Sequence, residues 1–263
     1  MKITRRSTIL GSFAAASGTG AATIAGCAPG EPGSSESLTK VTVIGAIHAR
    51  HRDSRRYSLD VLREALRRAE PDIVLSELPP SQIEEARRSF AETGEVSVPR
   101  ARAFPELSEA VFPLSQEMGF IVEGCAGWSR QLADNRSQRL AMIENDRARA
   151  KQWAEHQAAR AEYAKAVRGR SDDPRFIHTR EYDAIVQRAQ TPYQVYFDPD
   201  LGPGGWTRIN RAHTDLIETA LNSIRGQGTK ALVIFGAWHK YMIERVLMLR
   251  GDVELLDART LFP

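Results

Sequence analysis

Apolar and polar positions along this chain follow two periods, one of strands and one of helices. The run Val41-Thr42-Val43-Ile44-Gly45-Ala46-Ile47-His48 is short, β-branched and almost wholly apolar, which predicts a buried strand that breaks at a glycine and ends on an imidazole. Behind it Leu59, Leu62, Leu66 and Ala69 recur at helical spacing until Glu70-Pro71-Asp72 stops the helix. Ile73-Val74-Leu75-Ser76-Glu77-Leu78 then reads as a second strand. Strand, helix and strand at this spacing make a β-α-β unit, whose strands are parallel and neighbours or near neighbours. His48 and Glu77 therefore end on one edge of a sheet, the edge at which open α/β sheets build their sites.

Pro79-Pro80 bars a longer strand, and Ser81-Gln82-Ile83-Glu84 has the form of a capping box that opens a helix. Irregular chain is expected around Val98-Pro99-Arg100, followed by a helix over 105–118 disturbed at Pro113. Phe120-Ile121-Val122-Glu123-Gly124 predicts a third parallel strand that again ends in an acid. Over 135–170 the pattern becomes a long charge-rich helix whose apolar stripe is only Leu140, Ile143, Trp153, Ala164 and Val167. It reads as a solvated insertion, with His156 and His178 as surface residues. Tyr182, Ile185 and Val186 suggest a shorter helix, and 191–205, rich in Tyr, Pro, Asp and Gly, a loop over a pocket.

From Trp206 onward Ile209, Ala212, Leu216, Ile217, Ala220, Leu221 and Ile224 share one helical side. Ala231-Leu232-Val233-Ile234-Phe235-Gly236-Ala237-Trp238-His239 then repeats the first strand's ending, Gly-Ala-x-His. A helix through Tyr241, Ile243, Val246 and Leu247 and a strand Val253-Glu254-Leu255-Leu256 complete the chain. The expected fold is α/β, a mostly parallel sheet flanked by helices, with its core at 41–130 and 206–263 and a helical insertion at 131–205.

Composition changes this picture mainly at the amino end. A chain of 263 residues, 42% hydrophobic, can furnish a sizeable core. Residues 1–27 read as a twin-arginine lipoprotein signal: the pair Arg5-Arg6 precedes a weakly apolar run too short to span a membrane. Ile24-Ala25-Gly26-Cys27 resembles a lipobox, which makes Cys27 the acylated residue and 28–40 a flexible tether. These features predict passage through the twin-arginine export machinery and a cell-envelope location, anchored to membrane through lipid on Cys27. Cys125 is then the one free thiol, so the core has to be stable without a disulfide. Three of the 36 basic residues, Lys2, Arg5 and Arg6, and none of the 33 acids lie in the first 26 positions. The rest of the chain is thus electrically balanced, which argues against a nucleic-acid partner.

A parallel sheet gathers distant residues only at its strand ends, and His48, Glu77, Glu123 and His239 satisfy that condition. Imidazole and carboxylate are a common ligand set for a divalent cation, with Mn, Co, Fe or Zn equally compatible, and a cation held by His48, Glu77 and His239 would activate water. Without a metal the same three side chains can serve directly as base and acid. His51 is either a further ligand or an exposed loop residue, the latter favoured. Asn210 and His213 meet on the polar face of the helix before the second histidine strand, near Arg208 and Arg211. No dinucleotide fingerprint, phosphate loop, Gly-x-Ser-x-Gly or His-Glu-x-x-His occurs.

Gly45-Ala46-Ile47-His48, the strand-end Glu77 and Gly236-Ala237-Trp238-His239 together resemble the motifs of the TraB and Tiki-type proteins, which share a fold with the ChaN-like haem-binding lipoproteins and the erythromycin esterases. Asn210 is similar in position to the polar residue of an Arg-Asn pair in the Tiki type, with Ile209 in the arginine's place. The resemblance implies an α/β core in which the two histidines and the glutamate converge. For activity it implies either a metal-dependent peptidase, a haem binder without catalysis, or a metal-free esterase. The expectation is an exported hydrolase of a small-molecule or peptide substrate; the alternative is a lipoprotein that captures haem or iron.

Overall fold

A computed structural model describes residues 37–263. The expectations for Arg5, Arg6 and Cys27, and for most of the tether, fall outside the described residues. The tether's last two positions belong to the sheet: the first strand, β1, runs Thr39–Ala46, and Ser37 already bridges Gly226 and Gln227.

The expected α/β architecture is present. β1, β2 (Ile73–Ser76), β3 (Ile121–Gly124), β4 (Lys230–Gly236) and β5 (Val253–Leu256) form one all-parallel sheet in the order β3-β2-β4-β1-β5. β1 and β2 are near neighbours with β4 inserted between them, so the two histidine strands lie side by side, Ala46 opposite Gly236.

Side chains alternate across the sheet and meet different helices on its two faces. Ile44, Val74, Leu232 and Ile234 join a cluster with Leu62 and Leu66 of α1 (Leu59–Ala69) and with Ile83, Ala86 and Phe90 of α2 (Pro80–Thr93). Val41, Val43, Leu75, Val233 and Phe235 pack on Ile217 and Leu221 of the long helix Trp206–Ser223 and on Ile243 and Leu247 of the helix Lys240–Leu247. The chain leaving β1 thus turns to one face and the chain leaving β4 to the other. Their divergence makes the carboxyl edge between β1 and β4 a topological switch point, the place where a doubly wound sheet admits a ligand.

Between α2 and β3 come the short α3 (Pro99–Ala103) and a π-helical turn, Glu106–Val111, that runs into α4 (Phe112–Met118). Pro113 falls in the first turn of α4, where a missing N–H is tolerated, so the expected disturbance is a change of helical type. The capping box at Ser81 does not form. α2 begins one residue earlier on Pro80, with Pro79 at its cap and no side-chain cap bond.

The expected long helix of the insertion is two helices, α5 (Arg130–Asn145) and α6 (Ala150–Ala166), parted at Asp146, whose extended backbone and side-chain bond to the Ala148 N–H start a new turn. As expected of a solvated pair, α5 buries only Ile143 and α6 buries no residue fully. The next part differs. After α7 (Pro174–Ile177), α8 (Arg180–Tyr196) carries Pro192 inside it and continues into α9 (Asp198–Leu201), so 191–205 is mostly helical. Tyr193, Phe197 and Leu201, spaced by four, are buried, and that stripe outweighs the one backbone bond lost at Pro192. Numbering continues with α10 for Trp206–Ser223 and α11 for Lys240–Leu247.

Candidate active site

The site begins with two glycines. A Cβ on Gly236 would lie 2.5 Å from His48 Nε2 and 3.4 Å from Glu77 Oε2, and one on Gly45 would lie 2.9 Å from Ala237 Cα. Glycine in both Gly-Ala-x-His segments therefore lets the ends of β1 and β4 close on each other and lets the His48 ring lie against the backbone. Ala237 N–H donates to Ala46 O at 2.8 Å, extending the pairing past the strands. His48 itself has a left-handed backbone, φ +50°, in a short 3-10 turn, His48–Arg52. A histidine rarely adopts that region, and such residues concentrate at functional sites.

His48 is partly exposed, and its surroundings fix its ring. Nδ1 lies 2.5 Å from Glu106 Oε1, and Phe104 stacks on the ring with centroids 4.3 Å apart. With the Nδ1–H of the neutral ring donated to Glu106, the lone pair of Nε2 faces Glu77 Oε2 at 3.9 Å. Burial disfavours the charged ring, but the hydrogen bond and charge of Glu106, aided by Glu77, outweigh it, so the pKa of His48 lies above the ordinary histidine value.

Glu77 is buried. Oε2 accepts the Gly236 N–H at 2.7 Å and Oε1 accepts Arg100 Nη2 at 3.1 Å, while Arg100 Nε also donates to the Glu77 carbonyl. Burial opposes ionisation, yet His239, His48 and Arg100 together hold the carboxyl at about 2, so Glu77 is an anion across the physiological range.

His239 caps the opposite wall. Asn210 donates its Nδ2 to Trp206 O at 2.8 Å, which orients the amide so that Oδ1 accepts His239 Nδ1–H, also at 2.8 Å. Trp206 stacks on the His239 ring at 4.7 Å. Burial lowers His239 to about 4, so the ring is neutral with a bare Nε2. His213 lies against it, centroids 5.0 Å apart, accepts Gly127 N–H through Nδ1 at 2.8 Å, and is lowered by burial to about 3. Its Nε2, which must carry the proton of the neutral ring, is buried with no hydrogen-bond partner.

His48, Glu77, Asn210, His213 and His239 are therefore brought into one neighbourhood. Glu123 stands apart on β3, ion-paired with Arg87 at 2.8 Å. His51 is a correction: it is buried, accepts Ile47 N–H through Nε2 at 3.0 Å and donates Nδ1–H to Tyr57 O at 2.8 Å, so it props the turn that carries His48. His178 is another. It is buried and accepts Gly45 N–H at 2.9 Å, because α7 folds under β1 instead of lying in the solvated part of the insertion. His156 is half-buried among Trp153, Tyr193 and Phe197.

Two residues that contact His48 and Glu77 escaped the sequence. Glu106 is only 2% exposed, and its position on the stripe Leu107, Ala110, Val111 and Leu114 was the available signal: an acid on a buried helical face. Arg100, in the segment expected to be irregular, left no such signal.

The expected divalent centre does not match this donor set. Among the described residues no three His, Cys, Asp or Glu side chains are gathered to hold a metal ion. Both oxygens of Glu77 are engaged, one by a guanidinium that would repel a dication. Nor do the cavities of about 810 and 650 Å3, beside α5 and beside α11, include His48 or His239 in their walls, so neither offers either imidazole to a haem.

Comparison with protein-family models, with curated proteins and with solved structures finds no match for this chain.

Proposed function

We propose that this chain is a hydrolase of an ester or amide in which His48, oriented by Glu106, activates water without a metal. The observation that carries this reading is the alignment Glu106–His48–Glu77: a carboxylate on Nδ1, and on the other side of the ring Nε2 and Glu77 Oε2, 3.9 Å apart, with Oε2 also accepting the Gly236 N–H. That spacing is too long for a direct hydrogen bond and suits one water lying beside the line, donating to both. As the water oxygen bonds to the acyl carbon, its proton passes to His48 Nε2. The resulting imidazolium is stabilised by Glu106, and the same proton then goes to the leaving oxygen or nitrogen as its bond to carbon breaks. Glu77 stays ionised throughout, and Arg100 balances its charge. The bare Nε2 of His239 accepts a hydrogen bond from substrate or from a second water.

Arg5-Arg6 and the segment ending at Cys27 support placing the activity in the cell envelope, on a lipid-anchored protein. The test is a panel of p-nitrophenyl esters and anilides with the wild-type protein and His48→Gln. Turnover that falls by about 10²–10⁴-fold in the variant is expected; turnover equal in both, or absent with every substrate class, overturns the reading.

A further inference from the structure

The groups that surround the reacting edge are as informative as those that line it. Three guanidinium groups from three helices stand around it, each against an aromatic face. Arg100 of α3 lies 4.8 Å over Phe104, the ring that stacks on His48. Arg136 of α5 lies 5.6 Å over Tyr193 and 5.9 Å from Trp128. Arg160 of α6 lies 4.3 Å over Trp238, the residue next to His239, and Tyr163 Oη accepts the Trp238 N–H at 3.0 Å.

Only the first of these charges is neutralised. Arg100 is spoken for by Glu77, and Glu106 by His48. Arg136 donates to the neutral Tyr193 hydroxyl at 2.9 Å, and among the described residues neither it nor Arg160 is ion-paired with a carboxylate. The other arginines of the insertion that lie over aromatic rings differ: Arg149, over Phe197, pairs with Asp200, and Arg170, over Phe176, with Glu181. The charge of Arg136 is felt at His239; Arg136 is half-buried, and Arg160 stays exposed over the Trp238 ring. A desolvated cation without a counter-ion is costly, and the guanidinium fork matches carboxylate and phosphate oxygens. The unpartnered, buried Nε2–H of His213 beside His239 adds one more donor without an acceptor.

We infer that the substrate carries an anionic group, a carboxylate or phosphate, that docks on Arg136 and Arg160 while its scissile bond lies between His48 and His239. The inference rests on the hydrolase reading for the scissile bond, but not for the anion. An aromatic ring lies 5.6 Å from the Arg136 guanidinium and 4.3 Å from that of Arg160, and the guanidinium fork suits an oxyanion over a diffuse negative charge.

The test has a binding arm and a turnover arm. By calorimetry at low salt, glutarate and inorganic phosphate are titrated separately into the wild-type protein, Arg136→Gln/Arg160→Gln and Arg136→Lys/Arg160→Lys. Binding of at least one probe, weakened at least tenfold in the glutamine pair and partly kept in the lysine pair, is expected, and the stronger probe tells carboxylate from phosphate. In turnover, the ratio of kcat/KM for mono-p-nitrophenyl glutarate over p-nitrophenyl butyrate is expected to fall at least tenfold in the glutamine pair. Anion binding that depends on the arginines but is accompanied by no hydrolysis of either ester would leave this inference standing and defeat the hydrolase reading. Hydrolysis with no anion binding and an unchanged ratio would do the reverse.

Discussion

Glu106 reaches His48 from the helical segment after α3, 58 residues along the chain, and its Oε1 stands 2.5 Å from Nδ1 of the ring. Its second oxygen is buried without a partner, as is the hydroxyl of Tyr57 nearby. The Glu106 carboxyl bonds Nδ1 of the ring, and that bond fixes which nitrogen of His48 faces Glu77. Glu106→Gln keeps the shape and removes the charge. It is expected to lower kcat/KM by about 10²–10⁴-fold with little change in KM, measured on whichever ester the wild-type protein turns over. A KM effect alone would assign Glu106 to substrate binding.

Gly236 tests the same geometry from the backbone side. A methyl group there would occupy space 2.5 Å from His48 Nε2. Gly236→Ala is expected to keep the fold by circular dichroism and to lower kcat/KM by about 10²-fold, since a displacement near 1 Å suffices for that. Unaltered kinetics would mean that His48 works from another position.

Asn210 fixes the tautomer of His239. Replacing it with Leu leaves His239 Nδ1–H without its partner, at a cost of about 1–3 kcal/mol in stability. Urea denaturation reads the loss, and the nitrogen shifts of His239 in a 15N-histidine-labelled sample are expected to show proton exchange between Nδ1 and Nε2. A single, unchanged tautomer would show that Asn210 is only packing.

Acid stability follows from the buried rings. His178 and His213 are lowered to about 3 and His239 to about 4, in each case first by burial. A ring lowered on folding stabilises the native state fully above its unfolded value near 6.5, and that contribution is lost as pH falls toward the folded value. Between pH 6.5 and about 4 the unfolded chain can take up to three more protons at these sites, a slope of roughly 4 kcal/mol per pH unit at most. His48 acts with the opposite sign: its raised pKa stabilises below 6.5 and is lost as pH rises through the folded value. Glu77 keeps its full contribution down to its unfolded value near 4.5 and loses it between there and about 2. The urea midpoint is expected to drop steeply from pH 6.5 to 4.5; a flat or rising midpoint would mean the rings are not buried neutral.

Much of this was legible in the chain. The runs ending at His48 and His239 declared themselves as strands through β-branched apolar residues, and the paired Gly-Ala-x-His endings pointed to one edge. The sheet order was less accessible, because β4 enters between β1 and β2 only after residues 77–229 have formed other structure, and no local pattern encodes that. The 191–205 segment was misread because Pro and Gly are local stop signals while the stripe Tyr193, Phe197 and Leu201 acts through tertiary packing. Histidines were hardest. His51 and His178 sit in polar, arginine-rich sequence and are buried nonetheless, because each accepts a backbone N–H of the strand end that carries the site. Arg100, which holds the carboxylate expected to bind a metal, had no sequence signature.

The most direct test is the pH dependence of kcat/KM for metal-depleted protein in the presence of a chelator, compared with Glu106→Gln. The account expects undiminished turnover that rises with pH through one ionisation above 6.5, and a lower inflection in the variant. Turnover that vanishes on metal removal and returns with a divalent cation, or an inflection that the variant does not move, would contradict it.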